Sequence, residues 1–408
     1  MKRILRGEPI ETALPLEELD RRVPSLSIST DPTDGPVAVS QRLVHVHVHV
    51  DEAPGDGKHS SSAGAKDVRL FENGILVKHW HGPVPGGHAD LDVEVPISAG
   101  TNNFTAYAFN NANVKSGDAQ TGLLGSASLG KKGRVYVLGI GINTYQDGIP
   151  ALHYAAHDAT AFVDAVAERQ PAREVVKATL TDHQANRANI LCAFSRLGNG
   201  DSHPNCAAEE LNALRPAEPE DTVYILFSGH GLSDRGHFFI LPSDSSTTKD
   251  FRVATSTSVN NMISDRDLQE AFEPILAREQ AMVLDACGSG GLLGTNEKSF
   301  GPLNLDGFAQ LAYEKGLYVL SAATAKQSAM EAPVGGNSIP HSILTYVLVD
   351  EALKKNKARY DPTKGISITD WFNYAVQHVP NEANQQPVAF YPLMGEDSKT
   401  MIVSNSTN

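Results

Sequence analysis

The chain has 408 residues and a formal net charge of −14, from 34 Lys+Arg against 48 Asp+Glu. A chain of this length is expected to form two or three domains. The acidic balance argues against nucleic acid or an anionic membrane as the main partner, and no apolar run approaches the ~18 residues that span a bilayer. The N-terminal stretch lacks the apolar segment of a secretory signal, and three cysteines are too few for a disulfide framework, so we expect a cytoplasmic protein.

The first part of the chain predicts a small β domain between two irregular segments. Residues 1–36 are rich in Pro, Asp, Ser and Thr and indicate an extended or disordered leader. Short alternating runs fill residues 37–112, and the Asn73-Gly74 pair in FENGIL is typical of a two-residue hairpin turn. This pattern predicts an all-β sandwich. Residues 113–133 are rich in Gly and Ser and are interpreted as a linker.

Residues 134–408 change to a different pattern. Continuous apolar runs, typical of strands buried on both faces of a parallel sheet, occur in RVYVLGIGI, TVYILFSG, AMVLDA and LYVLSAA. Helical patterns lie between and after them, in AAHDATAFVDAVAER, RANILCAFSRLG, SDRDLQEAFEPILARE and HSILTYVLVDEALKK. Ser264 is expected to cap the helix that carries Asp267. The alternation predicts an α/β domain with a mainly parallel sheet and helices on both faces.

Two of the predicted strands end in side chains that suit nucleophilic catalysis. His230 stands between glycines in FSGHG, where we expect a sharp turn, and Cys287 follows the strand in AMVLDACGSGG. Functional residues of open parallel sheets gather beyond the carboxyl ends of the strands, and an imidazole can activate a neighbouring thiol. The backbone amides of Gly231 and Cys287 are the expected oxyanion donors. Either residue alone is more often structural, but together they predict a Cys–His pair.

The remaining candidate nucleophiles lack such a setting. Cys192 falls on the apolar side of a predicted helix, and Cys206 falls in a loop. Ser289 is a rival, but CGSGG departs from the G-x-S-x-G elbow of serine hydrolases. Cys287 is therefore the predicted nucleophile.

Residues 134 to about 395 resemble the caspase-like peptidases, the family of caspases, metacaspases and their bacterial homologues. The resemblance rests on the opening VLGIGINTYQDGIPALHYAAHDATAF, on a histidine upstream of DACGS, and on the ending SITDWFNYAVQHVPNEANQQPVAFYP. DACGS replaces the Q-A-C-x-G of caspases, so the resemblance is to the metacaspase or bacterial side. It implies a caspase-like fold and a cysteine endopeptidase with His230 and Cys287 as the catalytic dyad.

The same resemblance assigns the aspartate that precedes the cysteine. In the family, the residue two before the cysteine lines the S1 pocket, and it is glutamine in caspases but aspartate in metacaspases. Asp285 fills that position, and Asp158 matches a second acidic pocket residue. Two carboxylates would hold a guanidinium and repel an acidic side chain, so we expect protein or peptide substrates cut after Arg, with Lys second. Asp158 alone also fits a first-turn helix residue stabilised by the helix dipole.

The resemblance also implies a zymogen activated by proteolysis, through self-cleavage, an activating protease or another regulator. Lys298 is the first candidate cleavage site, since it follows Cys287 in the segment that is often cut in the family. Lys132 in the linker and Arg134 directly after it are alternatives, although any one of them alone is more often an ordinary solvated side chain. The chemistry requires no cofactor. Calcium is left open, because many metacaspases need it and the loop DSSTTKD has acidic ligands.

The segment VHVHVHV raises a metal hypothesis in the β domain. His45, His47 and His49 share one face of a strand and, with His79 and His81, have zinc-ligand chemistry. Alternation of buried Val with exposed His explains the same letters, so we assign no metal. The β domain resembles the immunoglobulin-like modules that precede some bacterial caspase homologues. A catalytically silent adaptor and a zinc-dependent binding protein are the alternative functions.

Overall fold

A computed structural model describes the chain in twelve stretches: residues 19–32, 37–56, 62–146, 148–198, 206–234, 237–247, 259–288, 312–322, 341–361, 365–382, 385–392 and 401–404. The chain forms two compact units, Met1–Leu129 and Gly130–Asn408. Within the described stretches, no helix is long and apolar enough to cross a membrane.

The first unit contains two antiparallel sheets that share one core. Its strands are β1 (Ser25–Asp31), β2 (Leu43–Asp51), β3 (Lys66–Glu72), β4 (Ile75–Pro83), β5 (His88–Pro96), β6 (Gly100–Phe109) and β7 (Ala119–Gly125). One sheet has the order β1-β2-β5 and the other the order β4-β3-β6-β7. The core between them includes Val46, Val48, Leu70 and Phe104, all fully or almost fully buried. The prediction of an all-β region is confirmed.

The residues of β2 alternate between buried and exposed positions, as the sequence predicts. Val44, Val46, Val48 and Val50 are buried, whereas the histidines between them are exposed or half-buried. The predicted hairpin is also present. Asn73 joins β3 to β4 together with Gly74, and their φ angles of 49° and 84° suit the positive values that an Asn-Gly turn adopts.

The β unit is longer than the sequence indicates. Strand β1 lies inside the predicted leader of residues 1–36, and β7 lies inside the predicted linker of residues 113–133. In β1 only Leu26 and Ile28 provide the apolar side of the alternation, and the Pro- and Asp-rich residues around them hide it. In β7 the weak strand formers Ala119, Gly122 and Gly125 interrupt the pattern. Pairing along the whole of β1, with residues 45–51 of β2, places β1 in the sheet.

The second unit is built on a mixed sheet. The strands of the whole unit, in and outside this sheet, are β8 (Val135–Gly141), β9 (Val175–Thr181), β10 (Thr222–Asp234), β11 (His237–Ile240), β12 (Ser246–Thr247), β13 (Val259–Asn260), β14 (Ile263–Ser264), β15 (Glu279–Gly288), β16 (Leu317–Ser321), β17 (Tyr360–Asp361), β18 (Gly365–Ser367), β19 (Val388–Phe390) and β20 (Ile402–Ser404). Strands β9, β8, β10, β15 and β16 are parallel neighbours in this order. Strands β11, β14 and β19 join the same sheet by antiparallel pairing. The α/β class is confirmed, with a mixed sheet in which five parallel neighbours are extended by antiparallel strands.

Helices cover both faces of this sheet. They are α1 (Ala155–Glu168), α2 (Arg187–Leu197), α3 (Asp265–Phe272), α4 (Ile343–Thr345), which continues as a π-helix (Tyr346–Lys354), and α5 (Ile368–Glu382). Short 3-10 turns occur at Pro85–Gly87, Ala127–Leu129, Asp182–Gln184 and Glu209–Ala213. Phe162 of α1 packs with Trp371 of α5 on one face, and Phe194 of α2 packs with Phe272 of α3 on the other.

The start of α3 agrees with the capping prediction. The Ser264 hydroxyl accepts the backbone N–H of Asp267 at 3.0 Å, and the Asp267 carboxylate accepts the backbone N–H of Ser264 at 2.8 Å. Both groups satisfy N–H donors that a helix end leaves without intrahelical partners. The predicted cap is confirmed.

The cysteines differ from expectation. Cys192 of α2 and Cys206 form a disulfide bond, although the sequence gives one a helical and the other a loop position and pairs neither. Disulfides persist mainly in oxidising compartments. The cellular location stays a prediction.

Candidate active site

The two predicted catalytic residues are register partners on neighbouring parallel strands. His230 of β10 pairs with Cys287 of β15, and two residues earlier Ser228 pairs with Asp285. Both strands are buried apolar runs up to this level, because helices cover both of their faces. The change from apolar to polar side chains occurs at the same height in both strands. It creates a polar layer at the carboxyl end of the sheet.

A close approach by Tyr145 explains why glycine precedes the histidine. A Cβ atom at Gly229 would lie 2.6 Å from the Tyr145 hydroxyl oxygen. That oxygen accepts the backbone N–H of His230 at 2.7 Å, and the two rings lie 5.0 Å apart. The expected sharp turn at His230 is wrong, because β10 continues as a strand to Asp234. The glycine makes room for a neighbouring side chain.

A backbone carbonyl fixes the orientation of the His230 ring. Its Nε2 lies 2.9 Å from the carbonyl oxygen of Pro150. A carbonyl oxygen can only accept, so Nε2 carries a proton. In the neutral ring Nδ1 is then the basic nitrogen. The residue is 8% exposed, which limits the freedom of the ring to rotate away from this orientation.

The two predicted pocket acids meet at one serine. Ser342 precedes α4, and its backbone N–H lies 3.3 and 3.2 Å from the two carboxylate oxygens of Asp158. Its hydroxyl donates to Asp285, which also accepts the Thr345 hydroxyl at 3.3 Å. Both acids are buried, with Asp158 at 0% and Asp285 at 5% exposure. Sequence positions more than a hundred residues apart are thus joined into one acidic cluster.

Glycines in β8 set the position of Asp158. Cβ atoms at Gly139 and Gly141 would lie 2.5 Å from the carbonyl oxygen of Ala159 and 2.1 Å from that of Ala155. Helix α1 can therefore rest directly on β8. Its first turn then carries Asp158 to the polar layer, where the hydroxyl of Ser228 lies 3.5 Å from the carboxylate.

A buried histidine completes the surroundings of Asp158. His341 Nδ1 lies 2.8 Å from Asp158 Oδ1, and its Nε2 lies 3.5 Å from Asp350 Oδ2. Burial raises the pKa of Asp158, and the hydrogen bonds from His341 and Ser342 oppose that rise. Asp158 is therefore a carboxylate whose ionised form depends on nearby donors or cations. The helix-dipole interpretation of Asp158 fits its first-turn position but omits these partners.

The other predicted residues have varied positions. Gly231 lies where β10 pairs with both β15 and β11. Lys132 is an exposed residue of irregular structure, whereas Arg134 donates its backbone N–H to Asp221 at 2.6 Å at the start of the sheet. Lys298 lies outside the described residues.

Sequence reasoning missed the residues that hold the predicted ones in place. These are Tyr145, Pro150, Ser228, His341 and Ser342. Only Ser342 carries a local signal, since a serine directly before a helical pattern is a typical cap. The others act through contacts between distant segments, which no sequence pattern encodes.

Metal binding near the site is limited by ligand chemistry. His157, Asp158 and His341 bring ligand atoms within 4.8 Å of one another, but two imidazoles suit zinc rather than calcium. In the loop considered for calcium, Asp244 accepts the backbone N–H of Arg187 at 2.9 Å, and residues 248–250 lie outside the described part. The calcium hypothesis gains no support from these contacts.

Comparisons with known proteins agree with this architecture. A family model described as Caspase domain matches residues 134–394. The chain therefore belongs to the caspase family of cysteine peptidases, whose substrates are proteins. No curated protein sequence matches the chain. A solved structure titled "Structures of Clostridium thermocellum CbhA fibronectin(III)-like modules" is 11% identical, with a TM-score of 0.19, over 25% of this chain and 97% of that one. At that score the likeness identifies no fold.

Proposed function

We propose that this protein is a cysteine endopeptidase that cleaves after Arg, with Lys second, using Cys287 as nucleophile and His230 as general base. The observation that carries the proposal is the register of His230 with Cys287, directly above the register pair Ser228 and Asp285. Register partners on neighbouring strands share a face of a sheet as a rule. This register supports a base, a nucleophile and an acidic pocket on one face of the sheet.

The tautomer of His230 suits the proposed reaction. Nδ1 would take the proton of the Cys287 thiol, and the resulting thiolate would attack the carbonyl carbon of the substrate. The proton then passes to the nitrogen of the leaving amine as the peptide bond breaks. Water, deprotonated by the same imidazole, would hydrolyse the thioester and release the thiol. The amides of Gly231 and Cys287 are the proposed donors to the negative oxygen formed at each attack.

The acidic cluster supports a basic P1 side chain. A guanidinium presents several N–H donors in a plane, and two carboxylates can each accept from it. Ser342 contacts both Asp158 and Asp285 and so fixes their separation. An acidic P1 side chain would face two like charges and be rejected. A lysine side chain carries the same charge but lacks the planar set of N–H donors, so we expect cleavage after Lys to be second to cleavage after Arg.

Burial of the acids supports the zymogen part of the proposal. Asp158 has no exposed surface and Asp285 has 5%, so a P1 side chain reaches them only in a state in which they are uncovered. Lys132 is the better candidate for processing than Arg134. The backbone of Arg134 is held at both groups, because its N–H donates to Asp221 and its carbonyl oxygen accepts the N–H of Thr222. Lys298 stays a prediction.

Peptide hydrolysis tests the proposal directly. The substrates are fluorogenic peptides ending in Arg, Lys or Asp, and the proteins are the wild type, Cys287→Ala and His230→Ala, each before and after a trace of trypsin that a serine-protease inhibitor blocks before the peptides are added. His183→Ala, at an exposed position, is the matched histidine control. We expect Arg cleavage that both site variants abolish and the control retains. Asp cleavage would overturn the pocket assignment, and no cleavage after trypsin would favour an adaptor.

A further inference from the structure

The outward face of β2 and β5 is a ladder of histidine–acid pairs. Along the antiparallel register, three histidines of β2 lie opposite acids of β5, and at the last rung the order reverses. The pairs are His45 with Glu94, His47 with Asp92, His49 with Asp90, and Asp51 with His88. The reversal places one carboxylate, Asp51, next to two histidines: His49 on its own strand and His88 on the neighbouring strand.

Distances show that these three side chains converge. Asp51 Oδ2 lies 2.9 Å from His49 Nε2, and Asp51 Oδ1 lies 2.6 Å from His88 Nδ1. The two imidazole rings lie 4.9 Å apart in an edge-to-face arrangement. One ligand atom from each residue lies within 4.8 Å of the others. Small side-chain rotations on a fixed sheet can bring all three onto one ion.

The donor set is that of a transition-metal site. Two imidazole nitrogens and one carboxylate oxygen bind zinc at about 2.0 to 2.2 Å and leave a fourth position for water. The side chains of His49, Asp51 and His88 are 38%, 48% and 58% exposed, so an ion reaches them from solvent without any opening of the core.

A second contact points to the same role. His49 uses its other nitrogen, Nδ1, for a hydrogen bond to Asp90 Oδ1 at 2.7 Å. Metal-binding histidines nearly always donate the proton of the nitrogen that does not bind metal to a carboxylate or carbonyl, which fixes the ring and makes the binding nitrogen more basic. His49 already has this arrangement, with Nε2 directed to Asp51.

We propose that His49 Nε2, Asp51 and His88 Nδ1 bind a divalent transition-metal ion of the zinc type, with Asp90 positioning His49. The site lies in the β unit and does not depend on the peptidase proposal. It differs from the histidine set that the sequence suggests. Its members are one histidine of the VHVHVHV segment, an aspartate two residues on, and a histidine brought in by cross-strand pairing.

The test is calorimetric titration of zinc into the full-length chain after treatment with a chelator. The Cys287→Ala background removes the proposed catalytic thiolate as a zinc ligand and removes self-cleavage. We expect zinc to bind at a site that His49→Ala and His88→Ala each weaken by at least about tenfold, and that Asp90→Asn weakens by about 10- to 100-fold. His45→Ala is the matched control, because it removes a histidine from the same face of β2 that is not one of the three proposed ligands. The zinc affinity of this variant should stay within about twofold of the unsubstituted background.

Two results would overturn the proposal. Equal weakening by His45→Ala and His49→Ala would indicate diffuse binding along the ladder. If the His49→Ala/His88→Ala double variant gave the same heat of zinc binding as the Cys287→Ala protein from which it is made, the zinc would bind elsewhere. Circular dichroism of each variant, with the rise in unfolding temperature on adding zinc, separates loss of the site from loss of the fold.

Discussion

His230 directs its Nε2 proton to the carbonyl oxygen of Pro150 at 2.9 Å. This contact selects the tautomer in which Nδ1 is basic, and the Tyr145 hydroxyl holds the backbone of the same residue at 2.7 Å. Ring and backbone of the proposed base are therefore fixed by Pro150 and Tyr145, which both follow β8 in the chain. The chain that leaves β8 thus positions the proposed base in β10.

Tyr145→Phe isolates this backbone contact. The variant keeps the ring beside His230 but loses the hydroxyl that accepts the His230 N–H. We expect kcat on an Arg peptide to fall about tenfold with little change in KM, since the contact orients the base and involves neither pocket acid. Steady-state kinetics of Tyr145→Phe and of Tyr360→Phe, an exposed control, measure this. Equal kcat in the two variants would show that the hydroxyl does not position the base.

The strand ends could be predicted from sequence, and the contacts that orient them could not. Continuous apolar runs identify buried strands locally, so His230 and Cys287 could be placed at neighbouring ends. Tyr145 and Pro150 act on His230 across about 80 residues, from a loop without periodicity. The Cys192 disulfide was missed for a similar reason, because apolar packing and bonding give a helical cysteine the same sequence context.

Substitution of either pocket acid tests the basic specificity. We compare Asp158→Asn and Asp285→Asn with Asp164→Asn, an exposed aspartate of the same helix α1 that pairs with Lys177. The readout is the ratio of kcat/KM for peptides ending in Arg and in citrulline, which has the same shape without the charge. Removing one partner of a buried charge pair costs about 2 kcal/mol or more, so the ratio should fall at least about thirtyfold in the pocket variants. An unchanged ratio in Asp285→Asn would exclude it from the pocket.

The same ratio should depend on pH through Asp158. Burial raises the pKa of Asp158, so its carboxylate takes up a proton at a higher pH than an ordinary aspartate does. Lowering the pH therefore removes one of the two charges that hold the guanidinium. We expect the Arg-to-citrulline ratio to decline as the pH falls, at pH values where ordinary aspartates stay ionised. Both peptides are cleaved by the same catalytic groups, so the effect of pH on the chemical step cancels in the ratio. The decline should be smaller in Asp158→Asn, and an identical profile would assign it to another group.

The disulfide makes a prediction about stability. Cys192 and Cys206 close a loop with a sequence separation of 14, and a cross-link of this size stabilises the folded state by about 3 kcal/mol in the chain-entropy model. We expect Cys192→Ser to lower the free energy of unfolding by about 2 to 4 kcal/mol in urea titrations without reductant. Adding reductant should destabilise the wild type by a similar amount and leave the variant unchanged. Equal reductant sensitivity in both proteins would show that the bond does not form in solution.

Lys315 should make stability rise with pH. Its side chain is 1% exposed, its Nζ donates to the carbonyl oxygen of Glu273 at 2.9 Å, and burial lowers its pKa from 10.5 to about 7 although Glu273 and Glu314 oppose the shift. Between pH 7 and 10.5 the unfolded chain therefore holds the lysine proton more tightly than the folded chain does.

The free energy of unfolding that Lys315 contributes should accordingly increase through that window, by at most about 1.4 kcal/mol per pH unit, and be constant below it. Lys315→Met removes the titration, so its stability relative to the wild type should be greatest near pH 7 and shrink towards pH 10. Urea unfolding of Lys315→Met and of Lys177→Met, an exposed control, at a series of pH values measures the difference. A constant difference across the series would mean that Lys315 keeps its proton in the folded state, because the carboxylates of Glu273 and Glu314 would then outweigh its burial.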